Sequence, residues 1–102
     1  MAQAISSRKE FEELICKSSN TCLVDFWAPW CGPCQALAPI LLSAEKKASG
    51  IGFYQVNVDD VTELAQAFHV SSIPTLIVFQ NGKEIQRTQG VLSEAQILAL
   101  LA

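Results

Sequence analysis

Apolar residues recur along this chain with two periods, and the switches between them lay out its elements. Phe11, Leu14 and Ile15 keep helical spacing behind Ser7-Arg8-Lys9-Glu10, which fits a capping box with Ser at the N-cap and Glu three residues on. That helix should fade by Ser18-Ser19-Asn20. Cys22 to Trp27 then reads as a strand with apolar residues on both faces, which belongs inside a sheet. From Gly32 the helical period returns. Cys34, Leu37, Ala38, Leu41 and Leu42 stand at i, i+3, i+4, i+7 and i+8, and Pro39 interrupts the hydrogen-bond ladder among them.

The second half follows the same alternation. Ile51 to Val58 is a strand, and Asp60-x-x-Glu63 caps a helix whose stripe is Val61, Leu64, Ala65 and Phe68. Thr75 to Gln80 is a strand with an unbroken apolar centre, Leu76-Ile77-Val78-Phe79. Asn81-Gly82 is a hairpin turn, and Glu84 to Gln89 returns as its partner. Gly90 marks a bulge or the end of that strand. Ser93-x-x-Gln96 caps a last helix that buries Ile97, Leu98 and Leu101. Helix, β, α, β, α, β-hairpin, helix implies an α/β fold, a central mixed β-sheet flanked by helices on both faces. At 102 residues there is room for one core, so residues 1–102 are expected to form a single domain.

Composition narrows the function. Lys and Arg fall at 8, 9, 17, 46, 47, 83 and 87, with no dense patch, in a chain of net charge -3. Nucleic acid is therefore not an expected partner. No apolar run approaches the ~18 residues of a membrane span. The first thirteen residues carry no basic segment followed by an apolar one, so no secretory signal is expected. Four cysteines without such a signal read better as a cytoplasmic dithiol than as a secreted disulfide framework.

Trp30-Cys31-Gly32-Pro33-Cys34 carries the chemistry. It sits where an apolar strand gives way to a helix. A sulfur at that helix N-terminus faces unpaired N–H groups, and the local dipole favours the thiolate of Cys31. Cys34 lies one turn on, on the same face, close enough for a disulfide. The competing use of such a pair is half of a structural zinc site. Asp25 is the other anomaly, an acid inside an apolar strand on the face of Leu23 and Trp27. Burial should raise its pKa, unless backbone donors near the strand end satisfy it.

Val24-Asp25-Phe26-Trp27-Ala28, Trp30 to Cys34, Pro39, Ile73-Pro74-Thr75, Asn81-Gly82 and Gly90 together resemble the thioredoxin family, in its order and spacing and across nearly the whole chain. The resemblance implies the thioredoxin fold and a protein-disulfide reductase. Cys31 would attack a substrate disulfide and Cys34 would resolve the mixed disulfide. Asp25 would take and return the proton of Cys34. The Ile73–Pro74 bond would be cis beside the disulfide, with the backbone of Ile73 pairing with an extended substrate segment. Trp30, Ile73, Pro74, Gly90 and Val91 would form a flat, mostly uncharged substrate surface. Trp27 would pack under the active-site turn. Cys16 and Cys22 fall outside the motif and read as free thiols, Cys22 largely buried and Cys16 partly covered. His69 reads as a helix-end residue. Many family members place a Lys where this chain has Gln55, beside the buried acid.

The resemblance also implies a monomer with no bound cofactor or metal. NADPH would be used indirectly, through a flavoprotein thioredoxin reductase, and disulfide-containing proteins would be the substrates. This chain has no GxGxxG fingerprint of its own. Two alternatives stand beside the reductase. A disulfide oxidant or isomerase is argued against by Gly32-Pro33, because oxidants tend to carry a His there. A zinc-binding or non-catalytic scaffold has four cysteines available, but Cys16 and Cys22 lack paired-knuckle spacing.

Overall fold

The computed structural model describes residues 2–102. In chain order its elements are β1 (Gln3–Ile5), α1 (Arg8–Phe11), β2 (Thr21–Trp27), α2 (Gly32–Lys47), β3 (Gly52–Asn57), α3 (Thr62–Ala67), β4 (Thr75–Gln80), β5 (Lys83–Gln89) and α4 (Glu94–Leu101). The sheet order is β1-β3-β2-β4-β5. β2 is central, parallel to β3 and antiparallel to β4, with Asp25 opposite Gln55 on one side and Leu76 on the other.

Alternation along β2 divides the interior into two cores. Cys22, Val24 and Phe26 face the side of α1 and α3 and pack with Phe11, Ile15, Leu64 and Phe79. Leu23 faces the side of α2 and α4 and packs with Leu37, Leu41, Leu76 and Ile97. The expected mixed sheet with helices on both faces is therefore present. It has one strand more than the periodicity indicated. β1 pairs with β3 from Gln3↔Tyr54 to Ile5↔Val56, yet only Ile5 is buried, so three residues leave no readable alternation.

The caps show which local rules hold. At α4 the box is complete: Ser93 Oγ accepts from the Gln96 N–H at 3.1 Å, and Gln96 Oε1 accepts from the Ser93 N–H at 2.9 Å. At α1 it is half formed. Ser7 Oγ accepts from the Glu10 N–H at 3.0 Å, but the Glu10 carboxylate reaches back to the Ser6 N–H at 2.7 Å. Beyond Phe11 the helix widens into a π turn over Glu12–Cys16 and closes with Lys17 N–H donating to Glu12 O at 3.1 Å. The expected Asp60 cap of α3 is absent. Asn57 Oδ1 takes the Asp59 N–H at 2.9 Å, a side-chain turn that sets the chain direction one step earlier and leaves Val61 at the N-cap.

The hairpin forms as expected, with Asn81 at φ 52° and Gly82 at φ 75°. The bulge lies at Ile85 rather than at Gly90. Val78 pairs with Gln86 while Phe79 pairs with Glu84, and Gly90, at φ 83°, ends the strand. Gly82 also faces the backbone carbonyl of Cys16 so closely that a Cβ would overlap it. Gly82→Ala is expected to cost about 2 kcal/mol, because positive φ and a fixed backbone neighbour both oppose the methyl. A urea midpoint equal to that of the parent chain would show that the turn can re-form around it.

Candidate active site

β2 delivers the chain to the site through Ala28, whose carbonyl accepts from the Cys31 N–H at 3.2 Å. Cys31 is extended, at φ -86° and ψ 113°, and occupies the N-cap of α2. Its Sγ takes the place of a capping oxygen and accepts from the Cys34 N–H at 3.2 Å. Pro33 sits in the first turn, where no intrahelical donor is required. Cys31 and Cys34 form a disulfide with their Cα atoms 5.2 Å apart. Trp27, Ala28 and Ile73 pack around it.

Cys31 at the helix end is expected to be the more reachable thiol and Cys34, one turn in, the more shielded. In the disulfide both are nearly buried, 5% and 4% exposed. Whole-residue burial does not separate the two, whereas their positions in the helix field do. Cys31 Sγ lies at the positive end of a 16-residue helix and 3.8 Å from the carbonyl oxygen of Ile73. The Ile73–Pro74 bond is cis, and the Pro74 carbonyl accepts from the Gly90 N–H at 2.9 Å. The loops that carry the disulfide, the proline and Gly90 are thereby brought together.

Trp30 is 69% exposed and Val91 46%, with Ile73 half-buried between buried residues and solvent. A shallow groove runs from Trp30 past Val58, Val70 and Ser72 to Ile73. Trp30 Nε1 donates to Asp59 Oδ2 at 2.8 Å. Asp59 carries no readable signal in the sequence, since the contact spans 29 residues and its only local mark is its place beside Asp60.

Asp25 is 5% exposed, on the sheet face that α2 covers. No protein donor reaches its Oδ1, so the alternative of an acid fully satisfied by backbone does not hold. Burial pushes its pKa from 3.8 up to about 7. Its neighbour across the parallel pair is Gln55, half-buried and without formal charge.

Of the remaining candidates, His69 closes α3 in the left-handed region, at φ 55°, with its N–H donating to Gln66 O at 3.1 Å. Cys16 and Cys22 are free thiols. Cys22 is 2% exposed, as expected, and burial raises its pKa. Cys16 is exposed rather than partly covered. The π turn over Glu12–Cys16 departs from the ~100° step of an α-helix and so shifts Cys16 off the flank of the buried stripe. Among the described residues no group of three or more His, Cys, Asp or Glu side chains could hold a metal ion. Replacing both thiols, as Cys16→Ser with Cys22→Val, is expected to leave disulfide reduction within about twofold of the parent and to cost about 1 kcal/mol in packing. A loss of activity without unfolding would implicate one of them in the chemistry.

The thioredoxin family model matches residues 2–102. The thioredoxin of Mycoplasma genitalium is 41% identical over 100 residues, covering 98% of this chain and 97% of that one. That of Mycoplasma pneumoniae is 38% identical over 102 residues, covering 100% of this chain and 99% of that one. The solved structure of Plasmodium falciparum thioredoxin superposes with a TM-score of 0.90 at 30% identity, over 98% of this chain and 96% of that chain. With similarity of this breadth added to a disulfide seated on a helix N-terminus, the chain belongs to the thioredoxin family, and Cys31–Cys34 is its redox-active pair.

Proposed function

We propose that this chain reduces protein disulfides in the cytoplasm, as a monomer, and is itself re-reduced by a flavoprotein thioredoxin reductase at the expense of NADPH. The thiolate of Cys31 attacks one substrate sulfur. The substrate S–S bond breaks, one substrate sulfur leaves as a thiolate, and a mixed disulfide forms with Cys31. Asp25 takes the proton of the Cys34 thiol. The Cys34 thiolate then attacks Cys31 Sγ and expels the second substrate thiolate, so both electrons end on the substrate and Cys31–Cys34 is oxidised. Trp30, Ile73, Pro74, Gly90 and Val91 receive the substrate, with the Ile73 backbone pairing with an extended segment. Gly32 and Pro33 keep the two sulfurs in register.

The observation that carries this reading is the Cys34 N–H directed at Cys31 Sγ, at 3.2 Å, because it stabilises negative charge on that sulfur once the bond opens. The test couples the protein to a thioredoxin reductase, NADPH and a protein disulfide. NADPH consumption that depends on all three supports the proposal, and none above the protein-free rate refutes it. A measured reduction potential separates a reductant from an oxidant or isomerase. Metal analysis of the purified protein tests the zinc scaffold.

A further inference from the structure

The segments around the disulfide all meet at one end of the sheet. β2 and β3 run toward it, β4 begins there and β5 finishes there, so 28–34, 57–63, 70–74 and 89–93 make one face. These segments contain Asp59, Asp60 and Glu63 and no Lys or Arg. All three carboxylates are exposed. Asp59 is held against the indole of Trp30, and among the described residues neither Asp60 nor Glu63 joins an ion pair.

Most of the cations lie elsewhere. Lys46 and Lys47 end α2, Lys17 precedes β2 and Lys83 follows the hairpin, all at the far end of the sheet. Arg87 is paired with Glu84 at 2.8 Å. Arg8 and Lys9 open α1, which follows β1 at the disulfide end, but there they stand among Glu10, Glu12 and Glu13, with Arg8 3.6 Å from Glu12, so that segment is itself net acidic. Along α2 the lysines are ~24 Å from Cys31 at 1.5 Å per residue. That exceeds the Debye length of about 10 Å at 0.1 M salt, so they do not cancel the acids for an approaching partner.

An exposed aromatic ring with a fixed carboxylate at its edge suits a cation twice over. The ring face attracts it, and the carboxylate pairs with it. Around that seat the surface is apolar at its centre and charged only at its border, the pattern of a docking face. We propose that the disulfide face selects protein segments whose target cysteine is flanked by Lys or Arg, and disfavours segments flanked by Asp or Glu. This rests on the reductase reading and adds the charge of the substrate to it.

The test uses three synthetic peptide disulfides, alike except for Lys, Ser or Glu beside the cysteine. Each is reduced by the pre-reduced protein and, for intrinsic reactivity, by dithiothreitol. After division by the dithiothreitol rates, the Lys peptide should react about tenfold faster than the Glu peptide at low salt. The ratio should fall toward unity at about 0.5 M NaCl. It should also narrow in the Asp60→Asn, Glu63→Gln double variant at low salt. A normalised ratio within about twofold at low salt overturns the proposal, as does a large ratio indifferent to both salt and the double variant. If no peptide, the Ser peptide included, is reduced faster than by dithiothreitol, the reductase reading itself fails.

Discussion

Cys31→Ser is expected to abolish protein-disulfide reduction, a fall on the order of a thousandfold or more, because a serine hydroxyl is un-ionised at neutral pH and cannot join a disulfide. Cys34→Ser should behave differently. Cys31 keeps its place at the N-cap of α2, so the first attack persists. Resolution is lost, and one mixed disulfide per chain should accumulate, visible on a non-reducing gel and released by dithiothreitol. The two residues are nearly equally buried in the closed form, and the helix field and the Cys34 N–H both favour the thiolate at Cys31 once the bond opens. Alkylation of the reduced protein should therefore label Cys31 first. Labelling of Cys34 first, or trapping by the Cys31→Ser variant instead, would reverse the roles.

Asp25→Asn should separate stability from turnover. The folded carboxyl titrates at about 7 because it is buried, against 3.8 in an ordinary setting. Between those values the folded chain holds a proton that the unfolded chain releases. Below about pH 4 both states are protonated, and the stabilisation of the folded chain by that proton is fully present. As pH rises toward 7 it is lost, on the order of 4 kcal/mol in all, and the loss levels off above. Asparagine does not titrate. The variant's advantage in urea denaturation should thus be small near pH 4, grow through neutrality and be largest near pH 8. Its turnover should fall, because Cys34 loses the base proposed to accept its proton. A stability difference that is flat with pH would show that Asp25 ionises freely in the fold. Gln55→Lys would set an ammonium beside the acid, draw its titration down and narrow the window.

What could be read from the sequence divides by range. Ser93 and Gln96, three residues apart, cap α4 as read, and Asn81-Gly82 makes the hairpin turn, because each signal is satisfied within its own few residues. The acid at Asp25 stood out because β2 is apolar on both faces around it. Other features depend on partners the local pattern does not name. β1 exists because β3 offers it an edge. Asp60 does not cap α3, which starts from Val61 with no side-chain bond, while Asn57 Oδ1 holds the Asp59 N–H just before it. Asp59 gained its role from Trp30, far away in sequence. The π turn before Cys16 left the apolar spacing of Phe11 and Ile15 intact, so periodicity could not detect it.

The two margins of the sheet have a consequence for how this protein shares a crowded solution. A free strand edge is a template for aggregation, and both edges here are blunted. β1 is only three residues long. β5 is broken by the bulge at Ile85 and bears Lys83, Glu84 and Arg87, the last two locked together by paired bonds of 2.8 Å. A chain whose proposed work is to accept extended strands from many different proteins cannot afford to accept them everywhere. Refusing them along its flanks would confine the proposed strand capture to the backbone of Ile73, which lies beside the disulfide.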